Sequence, residues 1–204
     1  MSTTPPAAPS SPSSPKPYRL AVIIGSTRDG RFGPTVGQWF TALAEQHAAA
    51  ELDVIDVAGL ELPACHPDWG TERTPALAEL AARIEAADAY VVVTPEYNHS
   101  YPAHLKHFID LHRTEWNAKP VGFVSYGGVS GGLRAVEHLR QVFAEVHCVT
   151  IRDGVSFHQA WDHFGEDGKA HDPQGAAGAA KTMLDQLDWW ARTLRAGRAE
   201  RPYN

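Results

Sequence analysis

The sequence predicts one α/β domain, a three-layer sandwich around a five-stranded parallel sheet. From Tyr18 onward, short apolar runs alternate with longer amphipathic ones, as repeated βα units require. Three of the apolar runs, at 20–24, 90–93 and 121–124, end abruptly in polar loops marked by Gly or Pro, and each loop opens a helical pattern. A chain of 204 residues, 43% hydrophobic and 21% charged, supplies enough apolar material for a single core.

Taken in order, strands are expected at 19–24, 51–57, 89–93, 120–125 and 147–151, and helices at 35–49, 74–87, 102–113, 133–145 and 174–195. In the first helix Trp39, Phe40 and Leu43 share a stripe, as Leu77, Leu80, Ala81 and Ile84 do in the second, so both faces should pack on the sheet. Thr74 followed by Pro75 reads as an N-cap with proline in the first helical position, and Pro102 is expected to open its helix in the same way. Trp189 and Trp190 in the last helix are expected to pack against the core. Five parallel strands in one domain favour the flavodoxin-like order 2-1-3-4-5 with right-handed crossovers, and ligands then bind beyond the carboxyl ends of the strands at the switch point.

The Ser- and Pro-rich residues 1–17 lack an apolar h-region and are expected to be a disordered tail, with the domain at 18–197 and a C-terminal tail at 198–204. Two stretches escape the regular pattern: 58–72, with Pro63, Cys65, His66 and Trp69, and 152–173, with Trp161 and Phe164. Each suits a pocket wall, a subunit contact or a solvated surface loop. The formal charge of -6 and the lack of any basic run argue against a general nucleic-acid binder. Cys65 and Cys148 form no C-x-x-C pair, so a reduced, cytoplasmic chain is expected, and no apolar run is long enough to span a membrane.

The first strand-end loop carries Ser26, Thr27, Arg28 and Arg31 ahead of a helix. Hydroxyls, a guanidinium and the unpaired N–H groups of a helix N-terminus together suit a terminal phosphate. In the second loop Pro95 stiffens the strand exit, while Tyr97 offers an aromatic face and Asn98 both donor and acceptor groups, which suits a flat heteroaromatic ring. The third, residues 125–132, holds four glycines that let the backbone approach a ligand edge.

Gly25-Ser26-Thr27-Arg28, then Pro95-Glu96-Tyr97-Asn98 followed by Ser100, Pro102, Leu105, Lys106 and Asp110, then Lys119-Pro120-Val121 leading to Ser125-Tyr126-Gly127-Gly128, resemble the NADPH-dependent FMN reductase family. The likeness covers most of residues 18–151, and Pro-Glu-Tyr-Asn is its most specific part. It implies a flavodoxin-like fold, tightly held FMN, NADPH or NADH as hydride donor, and a homodimer or tetramer. Carried over by position, Ser26 and Arg28 bind the FMN phosphate with help from Thr27 or Arg31. Pro95, Glu96, Tyr97 and Asn98 line the flavin, and the segment Ser125, Tyr126, Gly127 and Gly128 meets its ring edge. Many members have a small residue after the motif asparagine and glycine after the next proline, where this chain has His99 and Ala103. The implied chemistry is ping-pong: hydride passes from NAD(P)H to the flavin, the nicotinamide leaves, and a small-molecule acceptor such as a quinone, azo compound or free flavin follows. FMN carries that chemistry, so no side chain need be an obligate acid or base.

Two other readings compete. Gly128-Val129-Ser130-Gly131-Gly132 fits the G-x-S-x-G pattern of a hydrolase nucleophile elbow, with Asp153 and His158 or His163 following in triad order. It lacks an H-G-G-G motif and leaves the other two loops without a role. A flavodoxin-type electron carrier would bind FMN without oxidising a nicotinamide. His99, His104, His107 and His112 are expected to be surface or groove groups, with no metal site, and Glu96 a binding or interface residue.

Overall fold

A computed structural model describes residues 16–47, 50–68, 70–171 and 173–203. Trp69 and residues 1–15 of the expected tail lie outside the described residues. The parallel sheet runs β2 (Ala50–Asp56), β1 (Tyr18–Ile24), β3 (Ala89–Pro95), β4 (Pro120–Gly127), and its last edge is shared by β5 (Val149–Thr150) and β6 (Val155–His158). The expected order holds, with its fifth position divided between two short strands.

Alternation along the central strands sorts the core into two layers. Leu20, Val22, Val91 and Val93 meet Phe40 of α1 (Gly33–His47) and Met183 and Leu187 of α5 (Pro173–Glu200). Ala21, Ile23, Tyr90 and Val92 face the other way, onto Leu80 and Ile84 of α2 (Pro75–Ala86), Phe108 of α3 (Ala103–Asp110) and Leu139 of α4 (Leu133–Glu145). Each of these larger side chains is almost fully buried and contributes about 2 kcal/mol.

The helix ends follow from their caps. Thr74 Oγ1 accepts from Leu77 N–H at 3.3 Å, with Pro75 as the first helical residue. Pro102, by contrast, is the N-cap of α3 and not its first residue. The far end of α2 is held by Lys119, whose buried ammonium donates to the carbonyls of Ile84, Glu85 and Glu115 at 3.2, 2.8 and 2.7 Å. Helix α5 runs five residues past its expected end at 195, because its arginines have partners at the lower edge of the sheet. Arg192 and Arg195 donate to the Lys16 carbonyl and Arg195 also to that of Pro17, while Arg195 and Arg198 pair with Asp88 at 3.0 and 3.2 Å.

The expected strand at 147–151 shortens to two paired residues. Arg140 on α4 takes the Ile151 carbonyl at 2.7 Å and the Arg152 carbonyl at 3.1 Å, so these groups leave the ladder. Gly154 then passes so close to Phe123 that a Cβ would lie 2.8 Å from its carbonyl oxygen. The chain rejoins β4 as β6, pairing Ser125 with Ser156. The described part of the 152–173 stretch is therefore more than a solvated loop: Phe157 and Phe164 are buried and pack edge-on against Trp39. Of the 58–72 stretch, Pro63 and His66 meet α3, where His107 bonds the Pro63 carbonyl at 2.7 Å and His66 at 3.0 Å. Two side chains depart from expectation: His112 is 2% exposed, with both ring nitrogens unpartnered among the described residues, and Trp189 stands 59% exposed. None of the helices is long and apolar enough to cross a membrane, among the described residues.

Candidate functional site

The three loops meet at the carboxyl end of the sheet because β1, β3 and β4 are neighbours in register. Gly25 N–H donates to Val93 O at 2.9 Å, and Glu96 N–H to Tyr126 O at 3.2 Å, so each loop is tied to the next by backbone. Arg28, exposed at the tip of the first loop, places its guanidinium 5.7 Å from the Tyr97 ring centroid in the second.

In the first loop Ser26 is fully buried and its Oγ has no hydrogen-bond partner among the described residues. It lies against Gly33, the first residue of α1, where a methyl group would collide with it. A buried hydroxyl left unpaired at a helix N-terminus, with an exposed guanidinium and the half-buried Thr27 nearby, fits a phosphate group. Arg31 has another engagement: it grips Asp56 through two bonds of 2.6 Å and the Ser26 carbonyl at 2.9 Å. The hydrogen bonds to Asp56 raise its pKa further, and it acts as the brace that shapes the loop.

In the second loop Pro95 ends β3 in the core, and residues 97–100 close a tight turn in which Tyr97 and Ser100 exchange backbone hydrogen bonds of 2.8 and 3.1 Å. Asn98 and His99 at its centre are both exposed and left-handed. The Glu96 carboxylate accepts from Arg134 at 2.7 Å and from Ser130 Oγ at 2.5 Å. It thus joins the second loop to the third and to α4 within one chain, without needing a partner across an interface.

The third loop doubles back over β4. Gly131 and Gly132 adopt φ of 59° and 83°, and a Cβ on Gly132 would lie 2.7 Å from Ser125 Cβ and 2.9 Å from Tyr126 N. The Ser125 hydroxyl donates to the Gly131 carbonyl at 2.8 Å, so that side chain holds the loop from beneath. Tyr126 is buried as well: its hydroxyl lies on the Ser26 side, beside Gly33, and burial pushes its pKa up while the neighbouring Ser26 hydroxyl works against the rise. Gly127 and Gly128 remain half-exposed, and Trp161, 60% exposed, borders Gly128. Arg134, two residues past the third loop, escaped the sequence reading because its partner Glu96 lies in the second loop, and Trp161 was singled out only as part of an irregular stretch, with no place at the site. Only the irregularity of 152–173 hinted at Trp161.

The hydrolase arrangement is not assembled. Ser130 is bonded to Glu96, His158 Nδ1 to the Val129 carbonyl, His163 Nε2 to the His158 carbonyl, and Asp153 to Arg152 and Gln186. Among the described residues no histidine stands as a base at the serine.

Comparison with known proteins agrees with this geometry. The family model for NADPH-dependent FMN reductases matches residues 18–162. An NAD(P)H-dependent FMN reductase of Schizosaccharomyces pombe is 36% identical over 123 residues, covering 56% of this chain and 60% of that protein. A probable NADPH:quinone oxidoreductase of Oryza sativa subsp. japonica is 30% identical over 189 residues, 89% of this chain and 93% of that protein. Among solved structures, FerB of Paracoccus denitrificans, a flavoenzyme NAD(P)H:(acceptor) oxidoreductase, superposes with a TM-score of 0.70 at 25% identity, covering 86% of this chain and 98% of its own.

Proposed function

The chain belongs to the NADPH-dependent FMN reductase family, and from that premise we propose that it holds FMN on the three loops and oxidises NAD(P)H at the expense of a small organic acceptor. The observation that carries the reading is the convergence of the loops, with a buried, unpaired Ser26 hydroxyl at one end and half-exposed glycine backbone at the other. Ser26, Arg28 and the start of α1 would hold the phosphate, with Thr27 beside them and Arg31 keeping the loop in shape through Asp56. Pro95 to Asn98 would frame the ring, oriented by the Glu96 bonds to Ser130 and Arg134, and the Gly127 and Gly128 backbone would meet its polar edge. Bound FMN supplies the two-electron transfer chemistry.

Donor and acceptor would use one exposed face in turn, which makes the kinetics ping-pong, with quinones, azo compounds or free flavin as acceptors. The same reading includes self-association to a dimer or tetramer, supported by the exposed apolar side chains of Val129, Leu133 and Trp161. The test is direct. Purified protein should be yellow or take up added FMN, anaerobic NADPH or NADH should bleach it, and initial rates against a quinone should give parallel double-reciprocal lines. A protein that fails to bind FMN overturns the proposal, and one that binds FMN yet is bleached by neither nucleotide is an electron carrier instead.

A further inference from the structure

His99 occupies a left-handed turn position that glycine would fill at lower cost. In the turn at 97–100 both central residues have positive φ, 48° for Asn98 and 72° for His99. Turns of this kind favour asparagine at the first of these positions and glycine at the second. Asparagine and histidine both enter the left-handed region more readily than most residues, but glycine would occupy the second position at lower cost, and the exposed His99 ring gains no packing there. Strain retained at a site points to a use for the side chain.

Its bonding says what that use is. Arg134 Nη1 donates to His99 Nδ1 at 2.8 Å, while its Nη2 pairs with Glu96 at 2.7 Å, and the Glu96 side chain is only 7% exposed. A guanidinium can only donate, so Nδ1 accepts and the ring proton sits on Nε2. Among the described residues that Nε2–H has no hydrogen-bond partner. The buried carboxylate fixes the guanidinium, the guanidinium fixes the imidazole, and one N–H donor is left presented beside the residues that would frame the ring.

We propose that His99 is a catalytic residue of the acceptor step, its Nε2–H donating a hydrogen bond to the carbonyl oxygen of a quinone-type acceptor. This rests on the reductase reading above. A quinone that takes up a hydride, two electrons and one proton that NAD(P)H gave up in becoming NAD(P)⁺, becomes the hydroquinone monoanion with its charge on the second oxygen. One proton from water then forms the remaining O–H bond and completes the hydroquinone. A fixed donor at that oxygen stabilises the charge as it develops.

The test uses full-length, FMN-loaded protein, with benzoquinone and ferricyanide as acceptors in rapid mixing after anaerobic reduction by NADPH. Ferricyanide takes electrons singly and has no carbonyl to polarise. His99→Gly should slow reoxidation by benzoquinone roughly tenfold or more, with reduction by NADPH and reoxidation by ferricyanide unchanged. His99→Gln, which keeps an N–H donor, should recover part of the loss. The glycine variant should melt at or above the wild-type temperature, because glycine adopts this φ freely. An unchanged benzoquinone rate, an equal loss with ferricyanide, or a glutamine variant as slow as the glycine one overturns the assignment. Failure of NADPH and NADH to bleach the wild type would refute the reductase reading itself, before any variant is made.

Discussion

The buried His112 makes the stability of this fold depend on pH in a way that can be worked out beforehand. Its ring packs edge-on against Phe108 and Trp116, with centroids 5.5 and 6.1 Å away. Burial pushes its pKa down from 6.5 to about 4, the nearby Glu115 opposing this and Arg73 reinforcing it. Below pH 6.5 the unfolded chain takes up a proton that the folded ring refuses until about pH 4, so the unfolded state binds more protons in that window. Stability therefore falls as the pH drops through the window and levels off beneath it. At about 1.4 kcal/mol for each pH unit separating the two values, the full loss is about 3.5 kcal/mol, of which about 3 kcal/mol has been reached by pH 4. The perturbation is His112→Phe, which keeps an aromatic ring between Phe108 and Trp116 and removes two buried, unpaired nitrogens. Urea unfolding of both proteins at intervals from pH 7.5 to 4 measures the effect, and the titration of the other histidines cancels in the difference. The variant should lose up to about 3 kcal/mol less than the wild type over that range, and parallel pH profiles for the two proteins would refute the reasoning.

Two substitutions at the site carry further expectations. Arg28→Ala removes the exposed guanidinium beside Tyr97 and should raise the dissociation constant for FMN about tenfold, as loss of one charge-assisted contact does; fluorescence titration with an unchanged constant would remove Arg28 from the phosphate site. Gly132→Ala forces a Cβ against Ser125 and the Tyr126 backbone at φ 83°, and should cost roughly 2–4 kcal/mol in urea unfolding; a loss near zero would mean the third loop does not approach β4 so closely.

Much of the architecture was legible because it is written in local chemistry. The apolar stripes turn α1 and α2 onto the sheet, and a threonine followed by proline marks the start of α2. The three loops could be read as one ligand site because parallel strands put their carboxyl ends on one edge. What stayed hidden depends on contacts distant in sequence. A strand of four residues, Val155-Ser156-Phe157-His158, carries too little pattern to stand out, and the shortening of its predecessor is caused by Arg140 reaching over from another helix. Arg31 has the residue type and position of a phosphate ligand, and only Asp56, twenty-five residues on, shows that it is a brace. The same holds for Ser130, whose motif suggests a nucleophile until Glu96 is found bonded to it.

The grip of α5 on residues 16 and 17 has a kinetic consequence. It joins groups up to 179 positions apart, so forming it from an open chain would forfeit about 5 kcal/mol of loop entropy for a few solvent-exposed hydrogen bonds. The clasp therefore forms late, after the sheet has already drawn the two segments together. Loosening it should leave the rate of folding almost untouched and hasten unfolding, so that it works as a latch on the finished domain.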